Sequence, residues 1–145
     1  MSAGRLHIGQ LLTQTTRMFQ AELFRRLSEA GLHDARVPHT HVTAYIKVDG
    51  SRLTELATAA RMTLPAMSEL VDDLVALGYV ERRPDPSDGR AKLICLTDRG
   101  WDAIKTGQRV IAALETEWAR AIGEQRFEAF VETFQMLHDH VARDR

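Results

Sequence analysis

The sequence predicts a mainly α protein, an α+β arrangement of six helices carrying one two-stranded hairpin. Three observations predict it. Apolar residues recur at three- and four-residue steps through long stretches at both ends of the chain. Two short helical stretches with a tight turn between them occupy the middle. Directly after them, "RRPDPSDGRAKLICLTDRG", from Arg82 to Gly100, sets a loop of Pro, Asp, Ser and Gly beside strand-like runs.

The elements follow in order. Ile8, Leu12, Thr15, Phe19, Leu23 and Leu27 form one stripe on a first helix, and Gly31 is a natural stop. "HDARVP" reads as a linker. Pro38 opens a second helix through Val42, Ile46 and Val48, and "DGS" breaks it. A short helix from Thr54 to Ala60 comes next, with Thr54 as its cap and Glu55 favourable in its first turn. Arg61 and Met62 make a brief turn. Thr63 caps another helix, whose early Pro65 is tolerated because that amide has no partner inside the helix. Met67, Leu70, Val71 and Leu74 form its buried stripe, and Gly78 ends it. The pair makes a helix-turn-helix candidate.

"YVERR" then favours a strand, "PDPSDG" a loop and "AKLICL" a second strand. Thr97 caps a long helix with Asp98 in its first turn. Ile104, Ile111, Leu114 and Trp118 share its stripe. Gly123 interrupts, and a last helix carries Phe127, Phe130, Val131, Phe134, Leu137 and Val141.

Composition narrows the class. The 145 residues suit one domain and can bury a real core. The 19 basic and 20 acidic residues nearly cancel, which weakly opposes a strong nucleic-acid binder. The single cysteine, Cys95, has no intramolecular partner. No apolar run reaches the roughly 18 residues a membrane span needs, and "MSAGRLHIGQ" lacks the apolar core of a signal peptide. A soluble, reducing, cytoplasmic setting without a membrane partner is expected. The terminal helices bring apolar stripes that the central unit has no need of. A second copy of the chain is the simplest cover, since symmetric dimers are the commonest soluble oligomers; the alternative is a six-helix monomer folded back on itself.

Three parts now stand together: "RLTELATAARMTLPAMSELVDDLVALGYVERR", then "DPSDGRAKLICLTDRG", then helices at both ends. This ordered set resembles the MarR family of winged-helix transcriptional regulators. The resemblance covers most of the chain and is strongest from Leu53 to Gly100. Its most specific part is Asp85-x-x-Asp88-x-Arg90 followed by Leu96-Thr97-x-x-Gly100. It implies one MarR-like domain over residues 1–145. Residues 37–100 would form the winged helix-turn-helix lobe, and 1–36 and 101–145 the dimerisation helices. It also implies double-stranded DNA as partner and a pseudo-palindromic site with half-sites about one DNA turn apart. On this reading Arg90 at the wing tip is the minor-groove arginine, where a narrow groove enhances the negative potential. Asp88 braces the loop or orients that guanidinium. Arg82 and Lys92 reach phosphates, and Arg83 does the same or pairs with Asp85. The bland alternative is a solvated hairpin with surface ion pairs worth little.

The recognition helix departs from the family pattern. Thr63 to Leu77 holds no Lys or Arg, but carries Glu69, Asp72 and Asp73. Phosphate neutralisation dominates affinity, so modest, salt-sensitive binding through Arg61, Arg82, Arg90 and Lys92 is expected. Pro65 and Ala66 can pack on thymine methyls, Ser68 can donate or accept, and Glu69 can accept from a cytosine amino group. Asp72 suits an internal pair better than a base.

Other chemistry finds less support. His39-x-His41 and His138-x-His140 are spaced two apart, which puts them on nearly opposite sides of a helix, and nothing completes a zinc set. Cys95 sits in a wing strand; redox sensing would need exposure and a lowered pKa. No phosphate loop, nucleophile elbow or triad spacing points to an enzyme, and no cofactor is implied. The family resemblance implies a pocket for a small aromatic or phenolic effector near Met18, Phe19, His41, Tyr45 and Trp101. The expected function is therefore DNA-binding regulation by a homodimer, more readily repression, with release by such an effector. The alternative is a winged-helix dimer that serves as a protein-interaction module with little DNA affinity.

Overall fold

Apolar spacing becomes packing in the computed structural model, which describes residues 5–143. Residues 1–4 and 144–145, the outermost ends of the expected terminal segments, lie outside them. Helix α1 spans Ile8–Glu29, and the His7 N–H donates to the Gln10 side-chain oxygen at 3.1 Å to hold its first turn. A 3-10 turn at Val37–His39 leads into α2, Thr40–Thr43. The expected continuation through Ile46 and Val48 does not form. The Tyr45 N–H tightens onto the Val42 carbonyl at 3.1 Å. The Lys47 N–H is then taken by the buried Ser51 hydroxyl at 3.0 Å, so the helical ladder stops.

Helix α3 is Leu53–Ala60 and α4 is Leu64–Ala76. The first begins one residue earlier than expected. Arg52, not Thr54, holds the cap position, and its N–H is satisfied by the Glu55 carboxylate at 2.9 Å. In α4 the Thr63 hydroxyl accepts the Ala66 N–H at 3.3 Å, the cap the sequence predicts, and Pro65 sits in the first turn. Met67, Val71 and Leu74 are its buried residues.

Strands β1, Val80–Asp85, and β2, Asp88–Leu96, pair antiparallel from Val80↔Leu96 to Pro84↔Lys92, then shift to Asp85↔Asp88. The expected six-residue loop contracts to a two-residue turn. Its cause is the Asp85 carboxylate, which accepts the Ser87 N–H at 2.8 Å and the Ser87 hydroxyl at 2.7 Å. On the other edge of β2, Ser51 exchanges two backbone hydrogen bonds with Ile94, at 3.0 and 2.8 Å. The wing is thereby tied to the chain just before α3.

The core cluster draws on residues 42–96: Val42, Leu56, Met67, Val71, Leu74 and Ile94 are almost wholly buried in it. Each such side chain contributes about 1.5–3 kcal/mol. Trp101 and Ile104 pack against it from α5, Asp98–Ile122. The entry to α5 is tight. The Thr97 hydroxyl donates to the Gly78 carbonyl at 2.6 Å and accepts the Gly100 N–H at 3.1 Å. A Cβ at Gly100 would stand 2.1 Å from the Tyr79 carbonyl oxygen, so only glycine fits.

The chain divides into two compact units, Met1–Gly107 and Gln108–Arg145. In the second, α6 spans Glu124–Arg143 and buries none of its residues. Phe130, Val131, Phe134 and Leu137 are exposed along it, with the Phe130 and Phe134 rings stacked at 5.6 Å.

Candidate nucleic-acid interface

The wing turn is built as a clasp. Arg52, at the start of α3, places Nε at 2.8 Å and Nη2 at 2.6 Å from one oxygen of Asp85. The same guanidinium lies 3.9 Å from Asp88. Asp85 is buried, and its other oxygen holds the Ser87 turn. Hydrogen bonds from the Ser87 hydroxyl and N–H, then from Arg52, hold the Asp85 carboxyl down at about 2. Asp88 accepts the Arg90 backbone N–H at 3.1 Å, so it braces the loop and does not grip the Arg90 guanidinium. Arg90 is thus presented at a fixed turn, exposed, with its side chain free of any partner among the described residues.

The other expected basic contacts separate into two groups. Arg61 and Lys92 are exposed and likewise unpaired among the described residues. Arg61 stands in the turn of the helix-turn-helix with left-handed backbone, φ 54° and ψ 43°. That conformation costs a non-glycine residue about 1 kcal/mol. Arg82, expected to reach a phosphate, instead donates to Asp72 of α4 at 2.5 Å. This is the internal pair anticipated for Asp72. Arg83 pairs with Glu81, its Nε 2.6 Å from the carboxylate, and not with Asp85, which Arg52 has taken. On α4, Pro65 and Glu69 are exposed, Ala66 and Ser68 half-buried, and Thr63 is engaged as the cap.

Sequence reasoning missed Arg52, because its partner lies 33 residues away and no local spacing announces it. It also missed a cluster that joins Asp34, Tyr79 and Arg99. There the Tyr79 hydroxyl donates to Asp34, Arg99 reaches Asp34 at 2.7 Å, and the Arg99 guanidinium covers the Tyr79 ring at 4.6 Å. The hydrogen bond from Tyr79 holds the Asp34 carboxyl below its ordinary range, and burial pushes the Tyr79 hydroxyl up.

Of the expected effector residues, His41 and Tyr45, four apart in sequence, do not share a helix face. Tyr45 lies beyond the end of α2, so it and His41 share no continuous helix. Both are exposed, as is Met18, while Phe19 is half-buried. Trp101 lines a hollow of about 530 Å³ with Arg83, Cys95 and Asp98, and the other four line no part of it. Cys95 is a buried free thiol packed beneath Gly50. Among the described residues no group of three His, Cys, Asp or Glu side chains is placed to hold a metal ion, and no helix is long and apolar enough to cross a membrane.

Comparison with known proteins matches this geometry. Residues 44–91, from the end of α2 through the wing turn, fit the model of the MarR family. The HTH-type transcriptional regulator YdcH of Bacillus subtilis is 25% identical over 134 residues, covering 91% of this chain and 90% of YdcH. The crystal structure of MarR superposes with a TM-score of 0.77 at 21% identity, over 95% of this chain and 99% of that one. CouR from Rhodococcus jostii RHA1, solved bound to p-coumaroyl-CoA, gives 0.68 at 26% identity over 90% of each chain. The chain is thus similar to the MarR family of transcriptional regulators, by the family model over residues 44–91 and by fold over most of its length.

Proposed function

We propose that the chain acts as a repressor: a homodimer that occupies a pseudo-palindromic operator and leaves it when a small aromatic or phenolic ligand binds. The observation that carries this is Arg90, an unpaired cation at the tip of a turn fixed by Asp85 and Asp88. Arg in a narrow minor groove gains from its enhanced negative potential, and the preceding helix-turn-helix offers an exposed face of α4 to a major groove. Residues 37–100 serve as the DNA lobe, with 1–36 and 101–145 as dimerisation segments. Exposed Ile8, Leu11 and Leu12 on α1, and Phe130, Phe134 and Leu137 on α6, support a second copy as their cover. CouR is solved bound to p-coumaroyl-CoA, whose acyl group is phenolic, and this supports a phenolic effector. Such a ligand must bind the DNA-incompetent arrangement better than the competent one, since equal affinity shifts nothing.

The absence of any basic residue on α4 favours a second reading, an interaction module with little DNA affinity. Selection from a random duplex pool separates the two. The repressor reading expects an enriched palindrome with half-sites one turn apart. It also expects Arg90→Ala to abolish that binding while sedimentation still finds a dimer. No enrichment at low salt favours the interaction module. Affinity unchanged by Arg90→Ala removes the wing assignment.

A further inference from the structure

Helix α4 carries three carboxylates and no cation. Two of them are already answered from outside the helix: Asp72 by Arg82, and Asp73 by Arg36, with His39 Nε2 another 3.6 Å from Asp73. Glu69 is not. It is exposed and has no hydrogen bond or ion pair among the described residues. Arg36 lines the same surface hollow, but its guanidinium is committed to Asp73. Glu69 stands two residues from both Met67 and Val71, which are buried, so it projects from the opposite side of the helix. It is also in the first half of α4, the half that meets base edges when such a helix enters a major groove.

We infer that Glu69 is a specificity-determining residue that accepts a hydrogen bond from a cytosine amino group in each operator half-site. The inference rests on the operator reading above. An uncompensated carboxylate brought against DNA is repelled by phosphates and loses its water. Among major-groove edges, guanine offers O6 and N7 and thymine offers O4, all acceptors that repel it further. Adenine offers an amino group with the N7 acceptor beside it. Cytosine offers its N4 donor without an acceptor of its own beside it, and so is the base that a lone carboxylate selects. The neutralisation of Asp72 and Asp73 sharpens this choice. It leaves one carboxylate to discriminate and removes two that would only repel. Two-fold symmetry of the dimer repeats the cytosine on opposite strands of the two half-sites.

The test uses the full chain in three forms, wild type, Glu69→Gln and Glu69→Ala. Each is first checked for the same circular dichroism and the same oligomeric size, then put through duplex selection. The wild type should enrich cytosine at one symmetric pair of positions. Glu69→Gln should move that preference to adenine, because an amide pairs with adenine N6 and N7 together. Glu69→Ala should flatten it. Replacing the selected cytosine by thymine should weaken wild-type binding about tenfold and the alanine form by less than about twofold. One motif common to all three proteins overturns the assignment while leaving the operator reading intact. A wild type that enriches no motif overturns both.

Discussion

Arg52 and Asp85, 33 residues apart, are joined by two hydrogen bonds to a single carboxylate oxygen, at 2.8 and 2.6 Å. The bond ties the start of α3 to the wing turn, so the lobe that carries the recognition helix and the hairpin that carries Arg90 share one fixed joint. Arg52→Ala should leave the core folded but loosen the turn. Affinity for a selected operator should fall roughly tenfold, about the value of one specific contact. Amide exchange should speed at residues 85–90 and stay slow at Val71 and Leu74. Unchanged exchange in the turn would show the clasp to be incidental.

The same joint sets an acid limit. Asp85 is lowered from its ordinary 3.8 to about 2 when folded, and Asp34 is also held down. A carboxylate with a depressed folded pKa stabilises fully above its unfolded pKa and loses that contribution as pH falls through the folded one. Wild-type stability should therefore decline between pH 4 and about 2. Denaturant unfolding of Asp85→Asn should show a lower starting stability and a flatter slope across that window.

Gly100→Ala tests the entry to α5. The added methyl would meet the Tyr79 carbonyl oxygen at 2.1 Å, a backbone atom that cannot swing aside. Overpacking of this kind costs about 1–3 kcal/mol, to be read as a lower urea midpoint.

Arg61→Gly should separate stability from binding. Glycine relieves about 1 kcal/mol of left-handed strain and returns part of it as unfolded-state entropy. Thermal stability should hold or rise. DNA affinity should drop, and the dependence of log affinity on log salt should shrink by about one. A steep fall in stability would assign Arg61 a packing role instead.

Gly89→Arg should strengthen binding. A Cβ there meets nothing within 4 Å, and the backbone is not left-handed. The new cation would stand beside Arg90, and the salt slope should grow by about one. The gain should vanish at high salt if it comes from phosphates alone.

Much of this architecture was legible in order. The Thr63 cap, the stripe of Met67, Val71 and Leu74 with Leu70 only partly buried, and the Gly78 and Gly123 breaks are local events, fixed by neighbours three or four residues away. The departures share a cause, partners distant in sequence or hidden within a turn. Apolar spacing predicts a longer second helix, but Ser51 takes the Lys47 N–H across a loop. Composition predicts a wider wing loop, but Asp85 folds it from within. The sequence offers Arg82 and Arg83 as cations for DNA, and in the fold they pair with Asp72 and Glu81. Charge on a sequence does not say which charges are already spent on each other. Of the cations expected to contact DNA, Arg61, Arg90 and Lys92 have no side-chain partner among the described residues.

Among the described residues β1 pairs only with β2, so its far edge has no strand beside it. Such an edge invites pairing with strands of other molecules. Glu81, Arg82 and Arg83 put charge along it, and Pro84 has no N–H to offer. The residues that make the wing look like a basic patch also keep it from acting as a template for aggregation.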